Sequence, residues 1–102
     1  MSEQTVPLHI ASDHPAYAGH FPGSPILPGV VLLDAAVHVL ATHEGRAIAG
    51  GQIRSAKFLS PVSPGEPLTL YYSATPAGDL RFDIRSDTRS VASGVVALAQ
   101  GA

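Results

Sequence analysis

Asp34 is the only Asp, Glu, Lys or Arg among the thirty residues between Asp13 and Glu44, and it stands inside an apolar run, VVLLDAAVHVLA, over residues 30–41. An ionised carboxylate in such surroundings is costly unless donors reach it; otherwise it stays protonated, with a raised pKa. A carboxylic acid kept neutral near pH 7 is what general acid catalysis requires. His38 follows four residues later, which on a helix puts both side chains on one face within hydrogen-bonding reach. Upstream, His20 lies in Gly19-His20-Phe21-Pro22-Gly23-Ser24-Pro25, where prolines restrict the backbone, and a histidine held rigidly beside a buried acid suits a general base. Gly29, just ahead of the run, would offer an unpaired helix N-terminal amide to a developing oxyanion. Each residue also has a plain structural reading. Asp34 could face water at a gap in the packing or pin a loop, His20 could be a surface or structural loop residue, and Gly29 a glycine that opens a helix.

The elements that must position these residues follow from the same pattern. Residues 30–41 read as a helix, opened by Pro28-Gly29 and closed by Thr42-His43-Glu44 and Gly45. It is apolar on every face, so it must be surrounded. Val6, Leu8 and Ile10 alternate with Pro7 and His9 as a short strand whose proline suits an edge or a strand start. Further strands are expected over 51–59, 68–74, 80–86 and 91–99, the last three joined by short turns into an antiparallel meander. Ile53 and Phe58 fall on opposite parities, which demands either a bulge or coverage of both faces. Tyr71, Tyr72 and Phe58 read as core and sheet packing. The sum is an α+β domain, a curved antiparallel sheet around a central helix. A sheet covers one side of that helix, so the far side calls for a second copy.

Composition points the same way. Of the 102 residues, 45% are hydrophobic and 14% charged, against roughly 25% charged in an average soluble protein. Disorder is excluded, and apolar surface left over for a partner is expected. A formal net charge of −2 gives no field for nucleic acid or an anionic membrane. With no cysteine, disulfides and thiolate metal sites are excluded; with no asparagine, so is a glycosylation sequon. His9, His14 and His43 show no metal-ligand spacing, and Gly50-Gly51 lacks the rest of a phosphate loop. The uncharged stretch 15–33 carries four prolines and three glycines and cannot be one spanning helix. The opening Met1-Ser2-Glu3-Gln4 lacks the regions of a secretory signal, so a cytoplasmic protein is expected.

Two segments resemble a known family. The run from His20 to Asp34, HFPGSPILPGVVLLD, resembles the signature of the hotdog-fold 3-hydroxyacyl-(acyl-carrier-protein) dehydratases. There a histidine opens an HFPG-x-P-x-x-PG run and a carboxylate follows fourteen positions on, as Asp34 follows His20. Asp34 and His38 also meet the pattern of an acid, three residues, then Gln or His. Residues 57–66, KFLSPVSPGE, resemble the family's KF-x-x-PV-x-PG-acid turn between strands. The carboxylate is Asp, as in the dehydratase/isomerase branch, where the housekeeping branch has Glu. The sequence is most similar to short dehydratases of specialised pathways such as aryl polyene synthesis.

The resemblance implies one hotdog domain over 1–102, with an antiparallel sheet of about five strands wrapped around a central buried helix. It further implies two subunits joined through their sheets, with His20 of one facing Asp34 of the other. His20 would remove the α-proton of a 3-hydroxyacyl thioester and Asp34 would protonate the departing hydroxyl. The Gly29 amide would polarise the thioester carbonyl, the Ile26 carbonyl would orient the histidine ring, and His38 would hold Asp34. No cofactor or metal is implied. The implied partners are an acyl carrier protein with a phosphopantetheine-linked acyl chain, and either a second copy or a related hotdog subunit. A carrier protein is acidic, so a basic tunnel mouth is expected. All six basic residues, Arg46, Arg54, Lys57, Arg81, Arg85 and Arg89, follow the helix, and they suit a docking patch or an ordinary solvated sheet face alike. Two other functions stand beside dehydration: a non-catalytic acyl-binding subunit that partners an active paralogue, and a thioesterase of the same fold.

Overall fold

The computed structural model describes residues 3–9, 29–47, 51–63, 65–87 and 89–98. His20, Ile26, Ile10, His14 and Gly50 lie outside the described residues. Six elements follow in chain order: β1 (Gln4–Leu8), α1 (Gly29–Glu44), β2 (Gln52–Phe58), β3 (Leu68–Ala74), β4 (Leu80–Ser86) and β5 (Arg89–Ala97). The strands form one sheet in the order β1-β3-β4-β5-β2, antiparallel throughout. β3 and β4 coincide with the expected segments, and the meander from β3 to β5 is as expected. β5 starts two residues earlier than expected. Pro7 is accommodated because β1 is an edge strand, paired only with β3.

The helix extends through Thr42-His43-Glu44 and stops where Gly45 turns left-handed, with φ 65°. The Gly45 N–H donates to the Thr42 carbonyl at 3.3 Å and the Arg46 N–H to the Ala41 carbonyl at 3.0 Å, the double bond pattern of a Schellman stop. Leu32, Ala36, Val37, Leu40 and Ala41 are the buried positions of α1, a single stripe at helical period. They pack with Leu70 and Tyr72 of β3, Leu80, Phe82 and Ile84 of β4, and Val91, Ala92 and Val96 of β5. Arg81, Asp83 and Arg85 of β4 point to the other face of the sheet, as the alternation required.

Two irregularities shape the region near the helix N-terminus. In β2 the register shifts between Ile53 and Ser55, so the parity question is answered by a bulge. Ile53 pairs with Val96 and Phe58 with Ala92, which brings both to the helix side of the sheet. In the pairing of β4 with β5, Ile84 faces Ala92 and Arg85 faces Ser90, leaving Val91 as the extra residue. Its carbonyl accepts the N–H groups of Leu59 (2.9 Å) and Ser60 (3.3 Å). Arg89 completes the clasp by ion-pairing with Glu66 and reaching the Pro61 carbonyl at 3.5 Å.

At the other end of the helix, the Tyr72 hydroxyl donates to Glu44 Oε2 at 2.7 Å and accepts from His43 Nδ1. The His43 and Tyr72 rings meet edge-on. Tyr72 thus ties the last helical turn to the central sheet. Burial pushes its pKa above the ordinary value of 10.0, and the hydrogen bond and charge of Glu44 push the same way. A raised folded-state pKa means that the unfolded chain loses its proton first, so stability is retained below pH 10 and lost as pH rises beyond it. Melting temperature is therefore expected to fall above about pH 10, and Tyr72→Phe to flatten that fall while lowering stability at neutral pH by about 1–3 kcal/mol. An equally steep alkaline decline in the variant would contradict this.

Candidate active site

Asp34 and His38 lie on the flank of α1 that the sheet leaves uncovered. Asp34 is two positions from both Leu32 and Ala36, or about 200° around the helix, so the packing of that stripe turns Asp34 outward. Its side chain is 72% exposed and that of His38 is 61% exposed, while Val30, one turn earlier, is 71% exposed. The expected burial of Asp34 is therefore not provided by the described residues. One stripe of an all-apolar helix is served by the sheet, and the acid belongs to the other.

His38 Nδ1 lies 2.8 Å from the Asp34 main-chain carbonyl and 3.5 Å from its Oδ1. The nearer acceptor takes the Nδ1–H, so neutral His38 keeps its lone pair on Nε2. Instead of clasping the carboxylate, His38 is tied to the backbone of the residue that bears it. The carboxylate stays within ion-pair range, should the ring become protonated.

Gly29 is the first helical residue, five residues and about 7.5 Å of helix before Asp34. A Cβ built at Gly29 would stand 2.9 Å from Cδ1 and Cε1 of Phe58, so glycine is needed here for close approach of that ring. Phe58 is not the core residue expected from the sequence. It is 52% exposed and lies against the start of α1, because the β2 bulge and the Val91 clasp place it there. Gly29→Ala is expected to displace the ring and lower turnover, and Phe58→Ala in the same chain to relieve the loss; equal turnover in wild type and Gly29→Ala would contradict this.

Two hollows flank this helix start. One of about 320 Å³ lies beside Asp34, lined by Val30, Leu33, Val37, Ile53, Val96 and Leu98 with Gly51 and Gln52. The other, about 300 Å³, joins Gly29 and Leu32 to the clasped segment Phe58-Leu59-Ser60-Pro61-Val62. The second sequence motif thus forms a wall of this second hollow. The structure brings Asp34 and His38 onto one flank and sets Gly29 at the helix start, facing Phe58 and the second hollow; His20 and Ile26 lie outside the described residues. Sequence reading missed Ile53 and Leu98, which are separated in the chain from Asp34 and carry no signal beyond being apolar. It also missed the Tyr72 network, which joins residues 28 and 29 positions apart.

The basic residues are largely spoken for. Arg54 pairs with Asp79 and Arg85 with Asp83, Arg85 also stacks over Tyr71, and Arg46 donates to the Leu98 carbonyl. Among the described residues no group of His, Asp and Glu is placed to hold a metal, and no helix is long and apolar enough to cross a membrane.

Comparison with known proteins adds to this geometry. The model of the ApeI-like family, described as ApeI dehydratase, matches residues 1–95. The chain is 40% identical over 74 residues to the 3-hydroxyacyl-[acyl-carrier-protein] dehydratase FabZ of Mannheimia succiniciproducens, covering 62% of this chain and 47% of that protein. With the FabZ of Haemophilus influenzae it shares 42% over 73 residues, 61% and 47% of the two chains. The chain thus spans about half the length of these curated relatives. Among solved structures, the dehydratase heterocomplex ApeI:P from Xenorhabdus doucetiae superposes with a TM-score of 0.76 at 28% identity, covering 96% of this chain and 88% of that one. An uncharacterised protein from Erwinia carotovora gives 0.68 at 30% identity, covering 95% and 81%. The five-stranded antiparallel sheet with α1 against it is the hotdog fold expected from the sequence.

Proposed function

Because the chain belongs to the ApeI-like dehydratase family, we propose that it converts a carrier-bound 3-hydroxyacyl thioester into the trans-2-enoyl thioester and water, within an assembly of two hotdog subunits. The observation that carries this reading is the placement of Asp34 on the uncovered flank of α1, beside an apolar hollow and five residues after the Gly29 amide that opens the helix. A second subunit laid on that flank would exclude water from Asp34, raise its pKa and fit it to act as an acid.

The chemistry then divides as follows. His20 of the second subunit, oriented by the Ile26 carbonyl, takes the proton from C2. The electron pair of that C–H bond forms the C2–C3 double bond as the C3–O bond breaks. The departing hydroxyl takes the proton of Asp34 and leaves as water, and the proton on His20 restores Asp34 for the next cycle. The Gly29 N–H donates to the thioester carbonyl oxygen, where charge gathers as C2 loses its proton. His38 fixes the turn that carries Asp34. No cofactor enters the sequence, and the substrate is delivered on the phosphopantetheine arm of an acyl carrier protein.

A second reading makes the chain one half of a heterodimer with a related, active hotdog subunit. It is favoured by the heterocomplex assembled by the relative from Xenorhabdus doucetiae. Mass spectrometry of carrier-bound 3-hydroxyacyl chains incubated with the purified protein tests both. Loss of one water, abolished by His20→Ala, supports the first reading. Activity that appears only when a related hotdog subunit is added supports the second, and release of free thiol would replace both with a thioesterase.

A further inference from the structure

We propose that Arg89 and Glu66 are positioning residues for the reaction: their ion pair fixes the Phe58 ring against Gly29 and so sets where the Gly29 amide meets the substrate. The inference rests on the dehydratase reading for the role of that amide. Phe58 needs such a hold. It is the last residue of β2, an edge strand paired only with β5, and with half its surface exposed it has little core packing to fix it. Its ring lies so close to Gly29 that a Cβ there would stand 2.9 Å from it. A shift of Phe58 is therefore felt at the first residue of α1.

The chain that follows Phe58 is held from β5. The Leu59 and Ser60 N–H groups share the Val91 carbonyl, and Arg89, the first residue of β5, reaches the Pro61 carbonyl while ion-pairing with Glu66. Glu66 also closes the turn on itself. Its Oε1 accepts the Ser63 N–H at 3.4 Å, its own N–H donates to the Ser63 carbonyl at 3.2 Å, and Oε2 takes Arg89. The carboxylate thus serves the turn with one oxygen and β5 with the other. The Glu66 side chain is 17% exposed and that of Arg89 50%, so the pair is partly screened by solvent and adds little to global stability. What it holds is the segment that walls the second hollow, where a misplacement of about 1 Å is enough to cost about 100-fold in rate.

The test uses the full chain with Arg89→Met, which keeps the aliphatic stem and loses the donors, and Arg89→Lys, which keeps the charge. One readout is the NMR resonance of the Gly29 N–H, with Phe58→Ala marking its position when the ring is gone. The other is dehydration of a carrier-bound 3-hydroxyacyl thioester. In Arg89→Met the resonance is expected to move at least halfway to its Phe58→Ala position. In the same variant kcat is expected to fall about 10- to 100-fold at little-changed KM, because a displaced amide fails the charge that gathers in the transition state. Melting temperature should stay within about 8 °C of wild type, and Arg89→Lys should recover most of the loss. A Gly29 resonance unmoved in Arg89→Met, an unchanged kcat, or equal losses in both variants overturns the proposal, as does a kcat loss found only with a larger fall in melting temperature. A resonance that moves as expected in a protein whose wild type dehydrates no 3-hydroxyacyl substrate would keep the link from clasp to helix start and refute the dehydratase reading.

Discussion

Asp34→Asn is expected to lower dehydration of a carrier-bound 3-hydroxyacyl thioester by roughly 10²–10⁴-fold, the usual contribution of a general acid, with no loss of folding. The second half of that expectation follows from the position of the side chain. It is 72% exposed, and its carboxylate lies 3.5 Å from His38 Nδ1, a contact of the solvent-screened kind that contributes at most about 1 kcal/mol. Asparagine keeps the shape and removes the transferable proton. The loss should therefore appear in kcat at unchanged melting temperature. If turnover fell only in proportion to a fall in stability, Asp34 would be a structural residue.

Gly94→Ala is expected to have the largest effect on stability. Gly94 lies on the inner side of β5, between Ala56 of β2 and Phe82 of β4. A Cβ there would come within 2.4 Å of the Ser55 carbonyl oxygen and 2.9 Å of Phe82 Cζ. Phe82 is fully buried and Ser55 O is backbone beside the β2 bulge, so neither moves cheaply. Overpacking of this kind costs about 3 kcal/mol, and in a domain of this size each 1 kcal/mol shifts the melting temperature by about 4–8 °C. A fall of more than about 10 °C is expected, and Phe82→Leu should restore only part of it, because the clash with Ser55 remains. A fall of less than about 4 °C would show that β2 can shift away from β5. That shift would in turn disturb Ile53 and Phe58, the residues by which β2 shapes both hollows.

What the sequence could and could not convey divides along physical lines. Local periodicity located β3 and β4 to the residue and α1 to within its last turn, because alternation and a continuous apolar run are properties of neighbouring residues. The missed helical end, Thr42 to Glu44, is polar, and its last residues are held by Tyr72 of β3, a contact that no local pattern encodes. The bulge at β2 was posed as a choice by the parity of Ile53 and Phe58 and needed the pairing with β5 to be decided. Phe58 was misplaced for the same reason: an aromatic at a strand end reads as core until the strand is known to be an edge. For the site, the i, i+4 spacing of Asp34 and His38 made their shared flank legible, and Pro28-Gly29 marked the helix start. Which flank faces the sheet was not, because α1 is apolar all round and only the sheet chooses the stripe of Leu32, Ala36 and Leu40. The resemblance that pointed to a dehydratase agrees with the family to which the chain belongs.

That uncovered flank makes the central claim open to direct test: a complete site needs His20 from one subunit and Asp34 from another. His20→Ala and Asp34→Asn chains, each inactive alone, would be unfolded together, refolded at equal amounts and assayed by mass spectrometry for loss of water from a carrier-bound 3-hydroxyacyl chain. Statistical pairing around a two-fold axis leaves one intact site in each mixed dimer, so about a quarter of wild-type turnover is expected to return. No recovery in samples where mixed dimers are demonstrated would contradict a site shared between subunits.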